Sequence, residues 1–253
     1  MLLKSFSLLP FITMALASTY PTRLLAGICV PDTPTITKAI ALARANSDDQ
    51  LYNHVMRSWL VGTASLSHLP ANVTHDIDLE AFAVAAILHD LGLNLNNTDI
   101  ASKDKRFEVD GANAAVEFLK KEGGKGWTEE KLWEVWYAIA LHTVNDIAVH
   151  SAPLVWSLCV GVGTEIFSPE FAVMSFGPDK VAVTMQEWEQ INRAFPRTGF
   201  KDSIINKQIE LCRAKPRSTY GTYQADFGEM FLKEEGYSEV GFRNIDMILG
   251  MKE

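Results

Sequence analysis

The chain has few cysteines and no excess of basic residues, and both scarcities exclude classes of protein. Its three cysteines, Cys29, Cys159 and Cys212, allow at most one disulfide and form no Cys-x-x-Cys metal knuckle. Lysine and arginine number 23 against 31 aspartates and glutamates, which gives a net charge of −8 and argues against a nucleic-acid partner. After the N-terminal leader the sequence contains no apolar run suited to a membrane span, no internal repeat and no low-complexity segment.

The N-terminus has the pattern of an export signal. Residues 1–17 contain a lysine followed by an apolar run that ends in the small-x-small sequence Ala15-Leu16-Ala17. This pattern predicts a signal peptide cleaved after Ala17 and a secreted protein. A retained apolar leader on a cytoplasmic protein is the alternative. Two N-glycosylation sequons, which begin at Asn72 and Asn96, agree with secretion.

Beyond the leader, the sequence predicts an all-α fold with one helical domain over residues 20–253. Hydrophobic residues make up 47% of the chain, enough for one large core or at most two. Apolar residues recur at helical spacing behind capping residues, and no segment alternates with a period of two or contains an Asn-Gly or Asp-Gly hairpin turn. Helices are predicted from Pro34, over 49–68, over 79–90, up to Gly123-Gly124, over 128–142, from Pro153, from Thr184, and over 202–214 and 224–234.

His89 and Asp90 close an alanine-rich run that begins at Leu79 and is apolar on nearly all sides. Such a helix is expected to be buried, and a bare imidazole beside a bare carboxylate is costly to desolvate there. A bound cation relieves that cost, because neutral imidazole and carboxylate are good ligands for zinc, iron and manganese. A hydrogen-bonded structural pair is the alternative. His54 lies near the inward face of the preceding long helix, so antiparallel packing of the two helices could bring both histidines together.

Five tracts follow one another in the order and spacing of HD-domain metalloenzymes: YNHVMRSW, AAILHDLGL, RFEVDGANAAVEFL, ALHT and GVGTEIF. Over roughly residues 28–235 the chain resembles the fungal cyanamide hydratase-like branch of that family. The resemblance implies a divalent metal ion, zinc first with Fe(II) or Mn(II) as alternatives, held by His54, His89, Asp90 and a fourth acidic residue. The family has aspartate at the fourth position, where this chain has Glu165, whose side chain is one methylene longer.

Four further residues are candidates near such a site. His142 ends a predicted helix, where an imidazole either caps the helix or exchanges a proton with the substrate. The resemblance favours a catalytic role for His142, together with Asp90. Asp110 either compensates a helix dipole or orients a ligand histidine, and Arg57 could pair with such an acid. His150 is a weaker candidate for contact with the substrate.

The resemblance implies a hydratase that adds water to a small nitrile-type substrate such as cyanamide, giving urea. Two alternatives stay open. One is an HD-type phosphohydrolase, and the other is a protein that kept the fold without catalysis, which the Glu165 replacement favours. A phosphate site usually has clustered lysines or arginines or a glycine nest, and residues 91–94, Leu-Gly-Leu-Asn, supply no base. The expected partner is therefore a small molecule and not a nucleic acid, and homo-oligomer formation stays open.

Overall fold

The computed structural model describes residues 20–252, so the signal peptide predicted for residues 1–17 lies outside the described residues. Within residues 20–252, no helix has both the length and the apolarity that crossing a membrane requires. The side chains of both sequon asparagines, Asn72 and Asn96, are exposed. All three cysteines are free thiols, and Cys159 and Cys212 are buried.

The helices are preceded by a short β-hairpin, and this hairpin is not predicted by the sequence. Strand β1 (Thr22–Leu25) pairs antiparallel with strand β2 (Ile28–Pro31). Ala26 and Gly27 form the turn with φ values of 49° and 80°, as a two-residue turn with positive φ at both positions requires. The hairpin was missed because alanine takes the place of the usual asparagine or aspartate at the first turn position. Val30 of β2 is buried in the core, so the hairpin packs against the helices.

All other regular secondary structure in the described residues is helical, and the all-α prediction is confirmed. The helices are α1 (Pro34–Asn46), α2 (Asp49–His68), α3 (Ala71–Thr74), α4 (Leu79–Leu88), α5 (Phe107–Glu122), α6 (Glu129–Leu141), α7 (Asn145–Ala148), α8 (Pro153–Phe167), α9 (Pro169–Phe176), α10 (Met185–Ala194), α11 (Phe200–Ala214), α12 (Ala225–Phe231) and α13 (Asn244–Leu249). Short 3-10 turns cover Leu91–Leu93, Pro216–Ser218 and Lys233–Glu235.

Side-chain caps set several helix starts at the predicted positions. Thr33 accepts a hydrogen bond from the amide of Ile36, and Pro34 opens α1. Asp78 caps α4 through the amides of Glu80 and Ala81, which satisfies backbone donors that have no partner inside the helix. Two further predicted caps are confirmed in the same way, the threonine before α6 and the Thr184–Glu187 capping box of α10.

Helices α2, α4 and α8 form the centre of the bundle. Residues 80–88 of α4 and 154–165 of α8 are all buried. Helix α2 approaches α8 so closely that a Cβ atom on Gly161 would lie 3.2 Å from Cα of Gly62. Helices α1, α5 and α6 pack on α4, while α10 and α11 pack on α2. This arrangement places side chains of α2, α8 and the end of α4 together in the interior.

The chain turns sharply at the end of α4. This helix ends before His89, two residues earlier than predicted, and Asp90 has φ −103° and ψ 12° at the start of the 3-10 turn Leu91–Leu93. Gly92 in this turn lies against the start of α5, where an added Cβ would collide with the carbonyl oxygen of Phe107. The backbone contact between the turn and α5 therefore fixes where the His89-Asp90 pair is held.

Replacement of this glycine tests the contact. We expect Gly92→Ala to lower the free energy of unfolding by about 1–3 kcal/mol, because a backbone carbonyl cannot rotate away as a side chain can. Gly126→Ala is the matched control, since nothing lies within 4 Å of a Cβ added there. Its effect should stay within about 0.5 kcal/mol. Denaturant unfolding of both variants measures the difference, and equal effects would contradict the contact.

Candidate metal centre

The two ring nitrogens of His54 on α2 have different surroundings. Nδ1 lies 2.6 Å from Oε2 of Glu165 on α8. An ionised carboxylate only accepts hydrogen bonds, so Nδ1 carries the ring proton and Nε2 presents a lone pair. The ring also stacks on Phe200 of α11, with 4.8 Å between ring centroids. The carboxylate and the phenyl ring together fix both the tautomer and the orientation of His54.

His89 and His142 have the same tautomer for a different reason. Nδ1 of His89 lies 2.8 Å from the carbonyl oxygen of Ala86, and Nδ1 of His142 lies 2.6 Å from that of Ile139. Each imidazole thus caps the last turn of its own helix, α4 or α6, with an Nδ1–H donor. The Nε2 atom of each ring is left as an acceptor. The helix-capping and functional interpretations of His142 are therefore compatible, because they use different nitrogens.

Donor atoms of His54, His89 and Asp90 converge in the buried interior. Nε2 of His54 lies 3.3 Å from Nε2 of His89. Oδ2 of Asp90 lies 3.5 Å from the first of these nitrogens and 3.4 Å from the second. Ligands about 2.0–2.1 Å from a tetrahedral zinc ion stand about 3.3–3.4 Å from one another. The three separations fit a single metal ion, which would also remove the repulsion between two facing lone pairs.

His142 lies on the other side of the Asp90 carboxylate. Its Nε2 is 3.8 Å from Oδ1 of Asp90, the oxygen that is not directed at the other two histidines. The rings of His89 and His142 meet edge to face with 4.7 Å between centroids, and Phe107 packs against His142 from a third direction. His142 is therefore next to the three converging residues, in a place suited to a proton acceptor rather than a ligand.

The electrostatics of the cluster follow from burial and from these contacts. Burial opposes ionisation of Asp90, but His89 above all, with His54 and His142, holds the pKa of its carboxyl far below the usual range. Burial also opposes a charge on His89, and the neighbouring Asp90 outweighs it and raises the pKa of that imidazole. For His142, burial and the nearby His89 lower the pKa to about 4. At neutral pH the centre thus contains a carboxylate and a neutral His142.

Glu165 occupies a different place from the one that the resemblance implies. Its carboxylate lies behind His54, on the Nδ1 side, and does not belong to the group of converging donor atoms. Two guanidinium groups balance its charge: Nε of Arg57 donates to Oε1 at 2.5 Å, and Nη1 of Arg197 donates to the same oxygen at 2.6 Å. Burial opposes ionisation of Glu165, but His54, Arg57 and Arg197 together lower the pKa of its carboxyl. Arg57, which was expected to pair with an acid such as Asp110, therefore pairs with Glu165 instead.

Two other predicted residues lie apart from the converging group. Asp110 is buried, and its Oδ2 accepts hydrogen bonds from Nζ of Lys215 at 2.8 Å and from the amide of Ser102 at 3.0 Å. These contacts join the chain after α11 to the start of α5, and neither partner is a histidine. His150 is exposed after α7, whereas the converging group is buried.

Several contacts that support the centre are not predicted by the sequence. Glu108 is buried and accepts hydrogen bonds from Arg106 at 2.7 Å, Thr143 at 2.5 Å and Gln224 at 3.0 Å. Thr143 is the neighbour of His142, so this network supports the proton-accepting side of the centre. Gln224 is 116 residues from Glu108 along the chain. No local pattern could have revealed that contact, nor those of Arg197 and Phe200 with α2 and α8.

Comparisons with known proteins identify no relative. A scan against protein-family models finds no match to the chain, and a search of curated proteins finds no matching sequence. Membership of the HD-domain family therefore stays a prediction from the sequence tracts. The geometry of the centre itself indicates what chemistry it can perform.

Two carboxylate variants separate a metal ligand from a positioning residue. We expect Asp90→Asn to abolish stoichiometric zinc binding, because a neutral amide replaces an anionic ligand. Glu165→Gln should weaken zinc affinity by about 10–100-fold and still reach one zinc ion per chain at saturation, since it changes a group that orients a ligand. Competition with a chromophoric chelator and elemental analysis measure both quantities.

The fold of Glu165→Gln needs a control, because the half-buried Arg197 and the buried Arg57 lose their counter-charge, at a cost of about 3–5 kcal/mol for the buried partner. Glu165→Asp keeps the charge and should bind zinc more tightly than Glu165→Gln. Loss of all zinc at saturation in a folded Glu165→Gln protein would instead make Glu165 the fourth ligand.

The lowered pKa of His142 predicts a pH dependence of stability in the metal-free protein. Between about pH 4 and pH 6.5 the unfolded chain binds a proton at His142 that the folded chain does not. The free energy of unfolding should therefore fall as the pH falls through this window, and His142→Gln should reduce that loss. The raised pKa of His89 acts at higher pH, where its contribution is lost as the pH rises. Urea unfolding across this pH range gives the slope of the free energy of unfolding against pH for the wild-type chain and for His142→Gln. Equal slopes in the two proteins would refute the lowered pKa of His142.

Proposed function

We propose that the chain is a metal-dependent hydratase that adds water to the nitrile of a small neutral substrate such as cyanamide. The observation that carries the proposal is the convergence of two imidazole acceptors and the Asp90 carboxylate, in a buried place, at separations that fit one metal ion. Catalytic zinc sites use three protein ligands, whereas structural sites use four. Zinc, Fe(II) and Mn(II) all suit this donor set, and such an ion supplies a Lewis acid that activates water at neutral pH.

His142 is the residue that exchanges a proton in the proposed reaction. Its Nδ1–H is held by the carbonyl of Ile139 and its pKa is lowered to about 4, so its Nε2 is a free acceptor at neutral pH. As the water oxygen bonds to the nitrile carbon, Nε2 takes a proton from that water. The imidazolium, next to the Asp90 carboxylate, then donates this proton to the nitrile nitrogen, whose π bond to carbon has opened. The product of cyanamide is an isourea, which tautomerises to urea.

The pairing of the basic residues favours a neutral substrate. Arg57 and Arg197 bind Glu165, and Arg106 binds Glu108. Lys215 beyond α11 is likewise held in an ion pair with a buried aspartate. Phosphate recognition needs cationic donors directed at the ligand. The basic groups described here are committed to carboxylates of the protein, which suits a substrate without charge.

One observation favours the phosphohydrolase alternative. Nη2 of Arg57 is buried and has no hydrogen-bond partner among the described residues. A buried guanidinium nitrogen without an acceptor is a donor that an anionic ligand could satisfy. Hydrolysis of a phosphomonoester is therefore the second candidate reaction for the same metal centre.

Glu165 acts in this proposal through His54. A carboxylate on the Nδ1–H of a ligand histidine fixes the tautomer and makes Nε2 a stronger donor to the metal. This chain has glutamate where the family has aspartate, and the carboxylate of this longer side chain lies on the Nδ1 side of His54. The replacement then changes a ligand into a positioning residue, and the chain need not be inactive because of it.

Turnover of a substrate panel tests the function. With zinc bound, we expect urea to form from cyanamide and no phosphate to be released from phosphomonoesters or nucleotides. His142→Gln should lower kcat by about 10²–10⁴-fold without loss of zinc, because it removes the proton acceptor and leaves the ligands in place. His75→Gln is the control, since His75 is exposed. Phosphate release would favour the second candidate, and a zinc-loaded protein inactive on the whole panel would overturn the proposal of an enzyme.

A further inference from the structure

A groove between α5 and α6 shares no residue with the metal centre. Its volume is about 230 Å³, and its lining includes Val116 and the buried Leu132. The volume is below the roughly 300–1,000 Å³ of pockets for drug-sized ligands, so the groove suits a smaller molecule. Because the groove does not depend on the metal, its role is independent of the proposed hydratase reaction.

Two indole rings of α6 form one wall of the groove. The side chain of Trp133 is 53% exposed, which is unusual for so large an apolar group. Trp136 is fixed by a hydrogen bond of 2.9 Å from its Nε1 to Oδ1 of Asn113 on α5. The two ring centroids are 5.8 Å apart and the ring planes meet at 66°. The rings therefore form a corner, which suits a compact rounded group better than a flat ring.

The charges at the rim give the corner a preference for cations. Glu117, Glu129 and Lys120 line the groove, so two carboxylates stand against one ammonium. Nζ of Lys120 lies 3.9 Å from the carboxylate of Glu117 and offsets it. Glu129 has no ion-pair partner within residues 20–252. Indole faces attract cations through the ring quadrupole, and a nearby unpaired carboxylate adds to that attraction.

We propose that the α5–α6 groove binds a small organic cation of the alkylammonium class. The methyl groups of such a cation contact Trp133 and Trp136, and its charge is balanced by Glu129. A neutral molecule of the same shape fills the groove equally well but lacks the attraction to the rings and to the carboxylate. Among compact molecules of the same shape, charge is therefore the property by which the groove selects its ligand.

A pair of ligands that differ only in charge tests this selection. Choline and its neutral carbon isostere, 3,3-dimethyl-1-butanol, are titrated into the full chain while the indole N–H signals are followed by NMR. We expect choline to shift the Trp136 signal and to bind at least about fivefold more tightly than the isostere. Equal binding of the two, or no shift with choline, would overturn the proposal.

Single substitutions then locate the site. Trp133→Leu and Glu129→Gln should each weaken choline binding by about fivefold, and Lys120→Gln should strengthen it. Glu134→Gln is the matched control, because Glu134 is an exposed carboxylate of the same helix that does not line the groove. These positions are on the surface, so thermal unfolding should change little. Choline binding that survives both Trp133→Leu and Glu129→Gln would place the ligand elsewhere and refute the proposal.

Discussion

The hydrogen bond between Glu165 and Nδ1 of His54 is the interaction on which the centre depends. It joins α8 to α2, sets the tautomer of His54, and directs Nε2 of that ring towards His89 and Asp90. A buried carboxylate in this place requires compensation, and the Arg57 and Arg197 side chains provide it. The charged groups on the Nδ1 side of His54 thus determine that its Nε2 presents a lone pair to His89 and Asp90.

The packing of the bundle explains why this centre is buried. Helix α4 is buried on all sides, so the pair that follows it, His89-Asp90, begins in the interior rather than at the surface. Close contact between α2 and α8 at Gly62 and Gly161 brings the helices that carry His54 and Glu165 together. In such surroundings an acceptor without a donor is costly. Three acceptors that converge without a donor between them are therefore stable only when a proton or a metal ion joins them.

Local sequence signals gave much of the fold and part of the centre. Helix α2 has the predicted bounds of 49–68, and Asp78 caps α4 as expected, because capping and helical periodicity depend on nearby residues. The convergence of His54 and His89 was also predictable, since each lies at a definable place on a buried helix. The position of a histidine in a helix specifies the face on which its side chain lies, but not which ring nitrogen forms a given contact. For this reason the sequence could not show that Glu165 binds Nδ1.

Two features of the structure that the sequence did not predict are the partner of Asp110 and the N-terminal hairpin. Asp110 looked like an orienting acid at the start of a helix, yet its partner is Lys215, 105 residues later in the chain. The hairpin at Ala26-Gly27 was hidden because its turn lacks the usual asparagine or aspartate. The contact of Asp110 joins distant segments, which neither a cap nor a periodic pattern encodes, whereas the hairpin is a local turn without the usual residue signal.

The ion pairs around the centre also bear on the charge of the proposed substrate. The basic side chains described near the centre form ion pairs with buried carboxylates, as Arg106 does with Glu108 and Arg197 does with Glu165. A cation engaged in this way cannot be withdrawn to hold a phosphate without leaving a buried charge unpaired, which is strongly destabilising. Apart from Nη2 of Arg57, the polar groups left free near the centre are acceptors: a carboxylate, imidazole lone pairs and a neutral His142. Such a set can hold a metal ion and accept a proton, which is what the proposed addition of water to a neutral nitrile requires.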